Sequence, residues 1–129
     1  MKLSRSEDQL SVFLRRSEHG AIVDLWLATH YDENETDAAD HVSFMERRDA
    51  FCWAVERLLQ EGRIRLHKDG KFLETSIDEQ VERFRSAWPS SEKPYPQHLD
   101  ADFYLWFFDP ACPAGVAWRQ PDGSYLIAD

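Results

Sequence analysis

The chain has 129 residues, 43% hydrophobic and 13% aromatic, which is enough apolar material for one packed domain over residues 1–129 without a metal or disulfide staple. Acids outnumber bases 24 to 15, giving a formal charge of −9, a sign that repels phosphate backbones and anionic membranes and attracts basic partners. Cys52 and Cys112 form no CxxC pattern, the first residues hold no signal-like apolar run, and no segment is apolar enough to span a bilayer, so a cytoplasmic protein with no membrane partner is expected.

Ser6-Glu7-Asp8-Gln9 is a capping box that opens a short helix, with Leu10, Phe13 and Leu14 as its apolar stripe and His19-Gly20 as its end, glycine supplying the left-handed cap. A second, mostly buried helix is predicted over Ala21–Tyr31 from Ile22, Leu25, Trp26 and Thr29. The polar loop 32–37 follows, and Thr36 or Asp37 is expected to cap a long helix from Ala38 to Glu61 that ends at Gly62. Its inner face is Phe44, Phe51, Val55, Leu58 and Leu59.

The period then changes to two. Arg63–His67 alternates as a half-exposed strand with His67 pointing outward, Asp69-Gly70 is a hairpin turn, and Lys71–Leu73 returns. Ser76-Ile77-Asp78-Glu79 opens another amphipathic helix through Val81, Phe84 and Trp88, stopped by Pro89. Three prolines mark residues 89–100 as a loop. The apolar run Phe103–Phe108 is predicted as a buried strand, and Gly115–Arg119 and Tyr125–Ile127 as a hairpin about Pro121–Ser124. The layout is α+β: a helical N-terminal half with a winged-helix-like β-hairpin, one further amphipathic helix and a small antiparallel C-terminal sheet.

Little in this pattern reads as catalysis. The five histidines have no metal-ligand spacing, and no phosphate-cradling loop is present, so no metal or cofactor is expected. Cys112, with His98 and Asp102 upstream, has the residue types of a thiol triad, but flanking prolines account for its turn without chemistry. Asp24 is the one acid expected in a buried setting. Arg63, Arg65, Lys68 and Lys71 on the hairpin are the residues a nucleic-acid-binding wing would use. The overall charge disfavours that partner, and the helix before the wing is apolar where a recognition helix would be polar. The densest signal is acidic. Asp32, Glu33, Glu35, Asp37 and Asp40 crowd one loop, and Asp100, Asp102 and Asp109 bracket the aromatic run, so these eight are the candidate contacts for a basic protein partner. Self-association as a homodimer is left open.

An ordered series of segments adds a family resemblance. It runs from Phe51-Cys52-Trp53-Ala54-Val55-Glu56-Arg57-Leu58-Leu59 through Glu61–Leu66, Gly70–Leu73, Ser76–Val81, Phe84-Arg85 and Trp88-Pro89 to Trp106-Phe107 and Cys112–Trp118, with Leu25-Trp26-Leu27 also fitting. These segments resemble the bacterial family known as domain of unknown function 596. The family carries no assigned catalytic residues. Its association with toxin–immunity loci implies an immunity protein that neutralises a toxin domain by binding it, and not an enzyme.

Overall fold

The computed structural model describes residues 1–96 and 102–128. The first helix, α1 (Glu7–Ser17), begins where Ser6 Oγ accepts the Gln9 amide at 3.1 Å, with acids in its first turn and Arg15 and Arg16 in its last, both favourable to the helix dipole. The residue that turns the chain after it is His19, at φ 64°, and not Gly20. Gly20 is required for another reason: a Cβ there would collide with the Asp24 carboxylate, whose Oδ2 accepts the Ala21 amide at 2.9 Å and so opens α2 (Ile22–Ala28). Asp24 is thus a half-buried helix cap. α2 is shorter than predicted because Thr29 Oγ1 donates to the Trp26 carbonyl and helps close the C-terminal turn.

α3 (Phe44–Gln60) also starts later than predicted. Its cap is Ser43, whose Oγ accepts the Glu46 amide; Asp37 instead accepts the Ala39 amide within the loop. Ala50, Phe51, Ala54, Val55 and Leu58 are fully buried along one face of α3, and Gly62, at φ 70°, ends it as predicted. α4 (Ile77–Ala87) is capped by Ser76 and buries Val81 and Phe84.

The strands β1 (Ile64–Lys68), β2 (Lys71–Phe72), β3 (Gly115–Arg119) and β4 (Tyr125–Ala128) form one antiparallel sheet in the order β2-β1-β3-β4. The hairpin is therefore no free wing. β1 is an interior strand, with Ile64 opposite Trp118 and Leu66 opposite Val116, and all four side chains join the core beneath the helices. Burying these apolar pairs is what draws two segments some fifty residues apart into one sheet.

The run Phe103–Phe108 is a 3-10 helix, η1, and not a strand. Phe103, Trp106 and Phe107 turn inward, and Tyr104, Leu105 and Phe108 are left 45%, 38% and 64% exposed. A three-residue turn sorts a continuous apolar run this way, whereas a strand would alternate it. The inward residues complete an aromatic cluster with Trp26, Phe44, Phe51 and Trp88. Trp88 sits at its centre, with six ring centroids 5.0–6.3 Å from its own. Such offset and edge-on pairs add to the burial energy.

Candidate functional site

The segment 31–42 is held to the helices at both ends. Ala38 N donates to the His30 carbonyl at 2.7 Å, and Tyr31 and Asp37 form a single antiparallel bridge. Within it the acids have distinct duties. Asp32 Oδ1 accepts the amides of Asn34 and Thr36, and Asp37 Oδ1 that of Ala39, so both shape the turn. Glu33 Oε2 accepts from the hydroxyls of Ser4 and Ser6 at 2.9 Å. Glu35, at φ 59°, pairs with Arg15 at 2.6 Å and Arg16 at 3.8 Å, and the Arg15 hydrogen bond holds its carboxyl below the usual value. Asp40 is exposed. Four carboxylates, those of Asp32, Glu33, Asp37 and Asp40, therefore stand on an ordered loop with no ion pair to any described cation.

Of the second group of acids, Asp102 and Asp109 line different hollows at the two ends of η1. Asp102 is hydrogen-bonded to Lys93 Nζ and lines a hollow of about 430 Å³ with Leu27, His30, Arg47, Phe103 and Tyr104. Asp109 caps the turn after η1 through the Ala111 amide and lines a different hollow beside His67 and Cys112. Asp100 and His98 lie outside the described residues. Sequence reasoning also missed the apolar part of the surface: Leu27 is 43% exposed and shares the first hollow with Tyr104. The available signal was the unbroken apolar length of Phe103–Phe108, which fits a tight helix as well as a strand.

Beneath the loop lies a buried cation. Arg47 is 5% exposed, its guanidinium stacks 3.9 Å above the Trp26 ring, and its Nε donates to Thr29 Oγ1 at 3.0 Å. Burial pushes it down to about 10, so it stays charged at neutral pH, close to the C-terminal turn of α2, where the helix dipole favours a cation. Burial above all, and then the Arg47 charge, also lowers His30 below its ordinary 6.5, against the opposing pull of Asp37 and Glu92. The unfolded chain then binds more protons than the folded one just below that value, so this contribution to stability is complete above about pH 6.5 and is lost as pH falls through the folded value. Replacing His30 by Asn is expected to flatten the loss of stability between neutral and mildly acid pH, as read from denaturant midpoints; an unchanged slope would refute the assignment.

The alternative sites fare differently. Cys52 and Cys112 are buried, and burial raises their thiols to about 12 and about 11. Cys112 Sγ lies 3.5 Å from the Ala114 carbonyl, to which it donates. A thiol-specific reagent near neutral pH should label the folded chain far more slowly than the unfolded one, and rapid labelling of Cys112 in the native state would restore the nucleophile reading. Lys68 is not displayed on a wing: its Nζ donates to the carbonyls of Cys112 at 2.7 Å and Pro110 at 3.2 Å. His67, predicted to point to solvent, packs over Gly115 with both ring nitrogens buried and without hydrogen-bond partners, and a Cβ at Gly115 would come within 2.8 Å of its Nε2. No helix among the described residues is long and apolar enough to cross a membrane.

Comparison with known proteins places this architecture. No curated protein matches the chain. An uncharacterised protein conserved in bacteria, from Neisseria meningitidis, has a similar solved structure. It is 25% identical, with a TM-score of 0.68 over 95% of this chain and 84% of that one. Residues 59–127, more than half of the chain and reaching from the end of α3 into the last strand, match the family described as protein of unknown function, DUF596. This chain belongs to the DUF596 family.

Proposed function

We propose that the chain is an immunity protein, which binds a basic toxin domain and blocks it, with the loop 32–40 as the first point of contact. The observation that carries the reading is the set of four loop carboxylates paired with no described cation, three of them, Asp32, Glu33 and Asp37, fixed by turns and side-chain bonds. Solvent-facing charge of one sign steers an oppositely charged partner and raises its encounter rate. The exposed Leu27 and Tyr104 then offer apolar surface around the hollow that Asp102 lines; tyrosines such as Tyr104 carry much of the energy in tight interfaces. Charge brings the partner in and the aromatic turn retains it. The toxin identity rests on the family association alone.

The test is co-expression with a toxin domain encoded by a neighbouring gene. The chain should restore growth and form a complex with the toxin. Growth arrest undiminished by the chain, with no complex formed, would remove the immunity reading.

A further inference from the structure

The outer face of the sheet differs in charge from the rest of the molecule. Ile64, Leu66, Val116 and Trp118 point into the core, so strand alternation puts Arg63, Arg65, Ala117, Arg119 and Tyr125 on the opposite face. There Arg63 and Arg119 are direct neighbours across strands, joined by the Arg119 amide to the Arg63 carbonyl at 3.0 Å, and both side chains are exposed. Like charges directly opposite each other in a sheet are destabilising. Arg65 stands one step further along the same face. Its guanidinium lies 4.2 Å over the Phe72 ring and 5.9 Å from the Tyr125 ring, a stack that holds the side chain in place. Glu61 pairs with Arg63 at 3.1 Å, but among the described residues no carboxylate pairs with Arg65 or Arg119. In a chain with 24 acids against 15 bases, two arginines without an ion pair beside a third that has one make this face locally basic, with Glu18 and Glu61 at its rim in the hollow they share with Arg63 and Arg119.

From this we infer that the outer sheet face around Arg63, Arg65 and Arg119 is a second docking surface, for a carboxylate-rich segment of a partner protein. Charge complementarity names the occupant, and a stacked guanidinium presents its N–H groups as a fork suited to a carboxylate. Nucleic acid fits less well. The Phe72 ring is covered by Arg65 and met edge-on by Tyr125, whose hydroxyl is tied to the Gly62 carbonyl at 2.8 Å, so no free aromatic platform is left for bases. Lys68, which would extend a phosphate track, is committed to Pro110 and Cys112.

The test is amide chemical-shift mapping on the full chain at low ionic strength, with a glutamate-rich peptide and an oligothymidylate as separate probes. The peptide should shift amides of β1, β3 and β4, and Arg119→Glu, at an exposed position, should weaken that binding by about tenfold or more. Arg65→Lys, which keeps the charge and loses the stack, should weaken it less. Absence of peptide binding, or binding indifferent to Arg119→Glu, overturns the inference. So does oligothymidylate binding on this face without the peptide, or concentration-dependent shifts of the same amides with no probe, which would make the face a contact between copies. Asp40→Asn in the loop should leave peptide binding unchanged, so this result is read independently of the toxin reading.

Discussion

Trp88→Ala is expected to cost about 3–5 kcal/mol, enough to bring a domain of ordinary stability close to unfolding. The side chain is 8% exposed and touches six other aromatic rings, drawn from α2, α3 and η1. Removing it leaves a cavity that rigid ring neighbours cannot close, and the cavity term adds to the lost burial. Trp88→Phe should cost distinctly less, because it keeps a ring and removes an indole N–H that is buried without a hydrogen-bond partner. Urea midpoints of the two variants measure this. A loss below about 1 kcal/mol for the alanine variant would mean that the cluster is not the centre of the core.

The second large effect concerns function. Neutralising Glu33→Gln, Asp37→Asn and Asp40→Asn together removes three of the four unpaired loop charges and keeps the amide-oxygen acceptors on which the turn depends. The fold should survive with its thermal midpoint nearly unchanged. Association with the toxin domain should slow by roughly tenfold at low salt, where steering is strongest, and the difference should shrink as salt is added. Glu35→Gln is a weaker test of docking, since that charge is already answered by Arg15 and Arg16. Its loss should act mainly through the loop's attachment to α1.

What could be read from the chain was local. Ser6 and Ser76 cap their helices as a hydroxyl three residues before an acceptor-hungry amide predicts, and Gly62 ends α3 with the positive φ that glycine tolerates. The misreadings arose where a local pattern admits two outcomes. Asp37 and Ser43 are both competent caps; the loop used the first for its own turn, so the helix starts at the second. Phe103–Phe108 is apolar at every position, so composition could not separate a strand from a tight helix. The pairing of β1 with β3 is set by burial between distant segments, which leaves no mark in either segment alone. Because that pairing was hidden, so were the burial of His67, the tethering of Lys68 and the cross-strand meeting of Arg63 with Arg119.

For the candidate site, the loop acids were visible as a run of charge, but which of them remain unanswered by a cation was not. That depended on Arg15 and Arg16 reaching Glu35 from a neighbouring helix.

Stopped-flow association of the wild-type chain with the proposed toxin partner, measured across a range of ionic strength, probes the role of the loop most directly. The expected result is an on-rate that falls steeply as salt rises, and a shallower dependence for the variant lacking the charges of Glu33, Asp37 and Asp40. Identical salt dependence for the two proteins would contradict it.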